Sequence, residues 1–220
     1  MVKHEAERGT GAGVPVHEQV YRDLRDLVLF GVLAPGEPVT IQGVVDRLGA
    51  GMTPVREALR RLTAEGALES LGNRRIVVPV LDADAVEDLT EARLAIEPRL
   101  AARAAERITP DQIAVLREID SRLDRGIARG DVEVYLRENH AFHAALNAQA
   151  AAPVLTSLTE SLWLRFGPSL RVVCGQEGTR SMRDLHKELL DALDAGDTAA
   201  AAEAVAGDVR QGMEMIAAAV

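Results

Sequence analysis

The chain is short of cysteine, of aromatic rings, of long apolar runs and of positive charge, and each shortage rules something out. A single cysteine, Cys174, leaves no intrachain disulfide to form, which fits a reducing cytoplasm. Only 3% of the residues are Phe, Trp or Tyr, and the abundance of Ala, Leu and Arg favours helices over sheets. No stretch approaches the roughly 18 apolar residues that a membrane span needs. The opening MVKHEAERGTGAGVPV has no apolar run for a signal peptide. A cytoplasmic chain without membrane contact is expected. The net charge of −9 argues against nonspecific nucleic-acid binding by the chain as a whole. Residues 1–80 are balanced, with 10 basic and 10 acidic side chains, so the excess acid lies in residues 81–220, with 15 and 24. Between Met52 and Arg75 five Arg face three Glu, and the local sign is positive.

What is present is 220 residues at 47% hydrophobic composition, enough for one large or two small domains with cores of their own. Residues 1–13 are polar and Gly-containing and read as a flexible tail. Apolar residues at 16, 20, 21, 24, 27 and 28 have helical spacing, and GVLAPGEPV ends that helix. TIQGVVDRLG is a short helix with Thr40 as N-cap and Gly49 as stop. TPVREALRRLTAEG predicts another, with Thr53 at the N-cap and Pro54 at N1. Its apolar stripe is Val55, Ala58, Leu59 and Leu62. ALES and RIVVPV read as two strands joined by LGNR. Two short helices across a tight turn followed by a hairpin make a winged helix-turn-helix, whose second helix enters the DNA major groove.

LDADA marks a junction, so residues 14–80 form one domain and residues 81–220 a second. The second is almost purely helical: about 84–107 interrupted by Pro98, 109–129 behind the cap TPDQ, 131–148, 153–165 ended by FGP, and a hairpin of 181–195 and 197–219 around AGD. The fold class is mainly α, a winged helix-turn-helix followed by an all-α bundle.

These residues carry a resemblance. PVHEQVYRDLRDLVLFGVLAPGEPV and TPVREALRRLTAEGAL resemble the N-terminal domain of GntR-family bacterial transcriptional regulators. EARLAIEPRLAARAA, ENHAFHAAL and DLHKELLDALDAGDTAAA resemble the C-terminal ligand-binding FCD domain of the FadR-type subfamily. The resemblance spans roughly 15–215. Two departures matter for the operator. Gly51-Met52 stands where the family has Ser-Arg, and Asn73-Arg74-Arg75 where the wing has Asn-Arg-Gly.

The resemblance implies DNA contacts from Gln42, Thr53, Arg56, Arg60, Arg61, Asn73, Arg74 and Arg75. Arg56 can pair bidentately with guanine or meet a phosphate. Arg60 and Arg61 suit the backbone, and Arg74 and Arg75 a minor groove or flanking phosphate. Without that context, such arginines simply solvate a helix face.

ENHAFH puts Asn139 and His143 on one helical face. His186 and Asp208 lie about 15 and 18 Å from the AGD turn on the two arms of a helical hairpin, so they are neighbours. The family holds a divalent metal with Asp, His, His and His at points that correspond to Asn139, His143, His186 and Asp208. Here the carboxylate has moved. Two His and one carboxylate suit Zn²⁺, Ni²⁺ or Mn²⁺, while a buried His pair without metal is an ordinary core group. Of the other histidines, His4 falls in the tail, His17 at the first helix and His140 at the surface or behind the ligands. Arg93 corresponds to the family's pocket arginine and would receive a small carboxylate effector, or else pair with Glu97 at i,i+4. Trp163 and Arg165 line the same cavity, unless Trp163 is core.

The expected function is a ligand-responsive transcriptional regulator, a repressor, that binds a palindromic double-stranded DNA operator as a homodimer and responds to a small organic acid. It is not an enzyme. The alternatives are a metal-dependent hydrolase-like enzyme and a ligand-free helical interaction module. In the module, the four donors would not converge.

Overall fold

The computed structural model describes residues 14–72, 75–177 and 184–220; the predicted tail lies outside them. The first helix, α1 (Val16–Leu29), buries Val20, Tyr21, Leu24, Val28 and Leu29. Next comes α2 (Ile41–Leu48), where the Thr40 side chain accepts from the Gly43 amide and Gly49 closes the helix in the left-handed conformation. A third helix, α3 (Met52–Ala64), packs against α1 through Val55, Ala58, Leu59 and Leu62. It starts two residues before the predicted position. Gly51 is the extended N-cap, and Thr53 lies inside the first turn with no capping bond. Pro54 tolerates that position because the first amides of a helix have no internal acceptor.

The hairpin is short. β1 (Glu69–Leu71) pairs antiparallel with β2 (Arg75–Val77), Ser70 opposite Ile76. The segment before α2 extends it, with Val39 N donating to Ile76 O and Gly36 N to Val78 O.

The body contains α4 (Ala83–Ala105), α5 (Pro110–Arg129), α6 (Val132–Gln149), α7 (Pro153–Glu177), α8 (Leu185–Ala195) and α9 (Thr198–Ala217). Side-chain caps start most of them: Asp82, the Thr109/Gln112 capping box, Asp131, Asp184 and Asp197. Helix α4 lies along α9, α5 against α6 and α8, and α8 against α9. Small residues on the facing surfaces (Ala101, Ala104, Ala201) are fully buried and let α4 and α9 approach closely.

Two prolines that read as helix breakers are not. Pro98 sits inside α4 and Pro168 inside α7, each in a continuous helix. A proline removes one internal hydrogen bond, and tertiary packing of the flanking turns outweighs that loss. Around Pro168 those turns bury Trp163, Leu164, Phe166, Leu170 and Val173.

FGP has a different purpose. A Cβ on Gly167 would lie 2.3 Å from the Leu29 carbonyl oxygen, so only glycine allows α1 to meet α7 there. Arg171 Nη1 donates to the Phe30 carbonyl (3.1 Å), and Arg165 Nη2 to the Glu65 carbonyl (3.4 Å). Two body cations thus meet the carbonyl ends of α1 and α3, the negative ends of those helices. The apolar core runs unbroken from Leu24 and Leu62 in the head to Phe142 and Met213 in the body.

Candidate functional site

The head presents an exposed face on α3. Arg56 is exposed and makes no hydrogen bond or ion pair among the described residues. Arg60 is exposed and pairs with Glu57 at 2.6 Å. Both line an open groove of about 460 Å³ between α3 and the hairpin, with Ser70 and Ile76 across it. Thr53 and Arg75 are exposed, and Gln42 on α2 is exposed and bonded to Asp46. Asn73 and Arg74 lie outside the described residues.

Arg61, expected at the DNA backbone, is also engaged within the head. Its guanidinium lies 3.5 Å from the centre of the Tyr21 ring and pairs with Glu18 and Glu65, each at 3.1 Å. The helical period turns it toward α1, a quarter-turn from Arg60. Glu65 also accepts from the Tyr21 hydroxyl (2.8 Å). Burial, with Glu65 adding to it, pushes that phenol up to about 12. Arg61 ties α3 to α1.

In the body, α6 contributes Asn139 and His143, α8 His186 and α9 Asp208. The His143, His186 and Asp208 ligand atoms all lie within 4.8 Å of one another. His143 Nε2 is 3.0 Å from Asp208 Oδ2, and His186 Nε2 is 4.0 Å from Oδ1. The approach to Oδ2 is off the direction a hydrogen bond requires. Both Nε2 atoms are buried with no hydrogen-bond partner among the described residues. Burial alone would raise the Asp208 carboxyl, but His143, His186 and Arg93 outweigh it and hold it well below the usual carboxylate range. Two orphaned imidazole nitrogens and an anionic carboxylate around one point are a donor set that fits a divalent cation. Asn139 is buried and lines a small cavity that meets this cluster at Asp208, together with Arg93, Tyr135 and Trp163.

That cavity measures about 20 Å³, room for little more than one water. Arg93 reaches it with one edge of its fork already paired. Nε donates to Glu97 Oε1 at 2.6 Å and Nη2 to Oε2 at 3.3 Å, both residues being almost fully buried, and the guanidinium lies 4.0 Å from the Phe166 ring centre. Trp163 is a core ring and a cavity wall at once, 5.5 Å from the His143 ring. Arg165 is not at the cavity. Its side chain is exposed and turned to the Glu65 carbonyl, because α7 presents position 165 to the head and position 166 to the interior.

Sequence reasoning missed two groups. Asp120 on α5 is buried and 3.3 Å from His186 Nδ1. The signal was there: Ile113, Leu116, Asp120 and Leu123 form one buried stripe, and an acid in an apolar stripe needs a partner. His140, expected at the surface or behind the ligands, stands edge-on between Trp163 (5.1 Å) and Phe30 of the head (5.8 Å). Burial, with Arg25 nearby, pushes its imidazole down to about 4. Nothing local in ENHAFH tells that the neighbour across the seam is Phe30.

Residues 16–78 match the model described as bacterial regulatory proteins, gntR family, and residues 88–211 match the FCD domain. Over 152 residues the chain is 32% identical to the HTH-type transcriptional regulator McbR of Escherichia coli (strain K12), covering 69% of this chain and 69% of that protein. It is 35% identical over 114 residues to the Nta operon transcriptional regulator of Aminobacter aminovorans, 51% of this chain and 53% of that one. The solved structure of E. coli McbR/YncC superposes with a TM-score of 0.86 at 28% identity, covering 93% of this chain and 98% of that chain. No helix among the described residues is long and apolar enough to cross a membrane. A winged head with an exposed arginine face, an all-helical body and relatives that regulate transcription lead to one conclusion: the chain belongs to the GntR family of DNA-binding transcriptional regulators and carries an FCD domain.

Proposed function

We propose that this regulator acts in the cytoplasm as a homodimeric repressor of a palindromic operator. In this reading, Asn139, His143, His186 and Asp208 hold a divalent cation, Zn²⁺, Ni²⁺ or Mn²⁺, and a small carboxylate is the effector. The observation that carries it is the pair of buried Nε2 atoms that converge on one carboxylate and, among the described residues, make no well-directed hydrogen bond. Arg56, Arg60, Arg75 and Thr53, together with Gln42, Asn73 and Arg74, form the DNA side of the proposal. One recognition helix reads a few base pairs, so specificity needs two half-sites about one turn apart.

The small cavity sets the mechanism. The cavity is small, about 20 Å³, so in this reading an organic acid enters by displacing a wall. In this reading Arg93 receives it through the Nη1/Nη2 edge that Glu97 leaves open, and Trp163 moves with it. Trp163 touches His140, and His140 touches Phe30 of the head. A ligand that prefers the opened wall therefore prefers a different head pose, the differential affinity that a switch requires.

The cavity volume also favours a second reading, in which the cation alone is the signal. Both are tested by operator titrations followed by fluorescence anisotropy, with and without Zn²⁺ and a panel of two- to six-carbon acids. The first reading expects a change that needs the acid; the second expects it from metal alone. Identical operator affinity in every combination would sink both.

A further inference from the structure

We infer that Asp120 is the positioning residue of the metal-binding cluster: it holds the His186 ring in the tautomer and orientation that leave Nε2 free to bind the cation. The inference rests on the reading that the cluster binds metal, and it concerns a residue on α5, a helix that supplies none of the four donors.

Asp120 and His186 are both buried, and the carboxylate Oδ1 lies 3.3 Å from Nδ1. Asp120 has no other hydrogen-bond partner among the described residues. A hydrogen bond from this ring to a carboxylate oxygen places the proton on Nδ1. A neutral imidazole then has its lone pair on Nε2, the atom that faces Asp208 and has no partner. The ring plane is set separately. Phe142 stacks on His186 with centroids 4.0 Å apart and planes 11° from parallel. Phe142 fixes the plane of the ring, and Asp120 fixes which edge points inward. Without Asp120 the ring could flip about its long axis or place its proton on Nε2, and either change removes a donor.

A carboxylate behind a metal-binding imidazole also raises its basicity, and losing such a partner typically weakens metal binding about 10- to 100-fold. Among the described residues, His186 is the one polar partner of the acid at position 120. The stripe it interrupts is apolar, and a leucine there would pack.

The test uses the full chain and four proteins: wild type, Asp120→Asn, Asp120→Leu and His186→Ala. Zn²⁺ affinity is measured by competition with a chromophoric chelator, and coordination by the visible spectrum of the Co²⁺ form. The His186 tautomer is read in the metal-free proteins from the ¹⁵N shifts of the ring. The expected order is wild type, then Asp120→Asn, which keeps an acceptor, then Asp120→Leu, about 10- to 100-fold weaker than wild type. The metal-free wild type shows His186 protonated on Nδ1, and Asp120→Leu loses that signature. Asp120→Asn keeps the volume of the site should Asp120→Leu fail to fold. If Asp120→Leu binds within twofold of wild type while His186→Ala loses the metal, Asp120 only packs and the inference is overturned. If no protein binds metal, the metal reading fails and the inference with it. The tautomer measurement then reports whether Asp120 still orders the ring.

Discussion

The arginines of the head and those of the body are the same residue type put to opposite uses. On α3, Arg56 has no partner among the described residues and Arg60 only an exposed ion pair with Glu57. In the body Arg93 is paired with Glu97, and Arg165 and Arg171 reach the carbonyl ends of head helices. Arg61 belongs to the head by sequence but behaves like the body set, engaged by Tyr21, Glu18 and Glu65. An arginine is available to an outside anion only when its donor fork is not already answered from within the fold. Spacing along a helix does not reveal that state.

The largest expected effect comes from emptying a paired fork. Glu97→Leu leaves the Arg93 charge buried and unpaired, and should cost about 3–5 kcal/mol in urea unfolding. A loss under about 1 kcal/mol would mean that Asp208, across the cavity, takes over as counter-ion. Next is the free fork. Arg56→Ala should weaken operator binding by about 1–3 kcal/mol and leave the melting temperature unchanged. Equal weakening on operator and random DNA would place Arg56 on a phosphate instead of a base. The seam has a comparable scale. Gly167→Ala forces a methyl group against the Leu29 carbonyl and should cost about 1–3 kcal/mol. Limited proteolysis should then cut between head and body. A smaller effect separates Arg61 from its neighbours. Arg61→Ala should lower stability by no more than about 1 kcal/mol with little change at the operator, the reverse of Arg56→Ala.

The last effect is on pH. His140 titrates near 4 in the fold, against about 6.5 in the unfolded chain. Its folded value is depressed, so its stabilising contribution is complete above pH 6.5 and fades as pH falls toward 4. Melting curves between pH 7 and 4 should show that slope, and His140→Phe should flatten it. An unchanged slope would assign the acid sensitivity to other groups.

The helices were legible because their ends are chemical: Thr40, Thr109, Asp131 and Asp197 cap where the sequence placed starts, and Gly49, Gly130 and Gly196 turn left-handed where it placed stops. The donors on α6, α8 and α9 were legible through helical period and hairpin geometry. What was not legible depended on a neighbour far along the chain. Pro168 reads as a stop until α1 is known to cross beside Gly167. Arg165 reads as a pocket residue until Glu65 is seen opposite it, 100 positions earlier. Thr53 reads as a cap because Thr-Pro so often begins a helix, yet Gly51 takes that place.

The way the head is held has a consequence for how such a protein can change over generations. Arg165, Arg171 and Gly167 address the carbonyl oxygens of Glu65, Phe30 and Leu29, and a carbonyl is the same whatever side chain its residue bears. The body thus grips the head partly by its backbone. Residues that choose the DNA sequence can drift without loosening those grips, and a head with a different operator preference can be carried on an unchanged body. What the protein reads and what it listens to are free to be inherited separately.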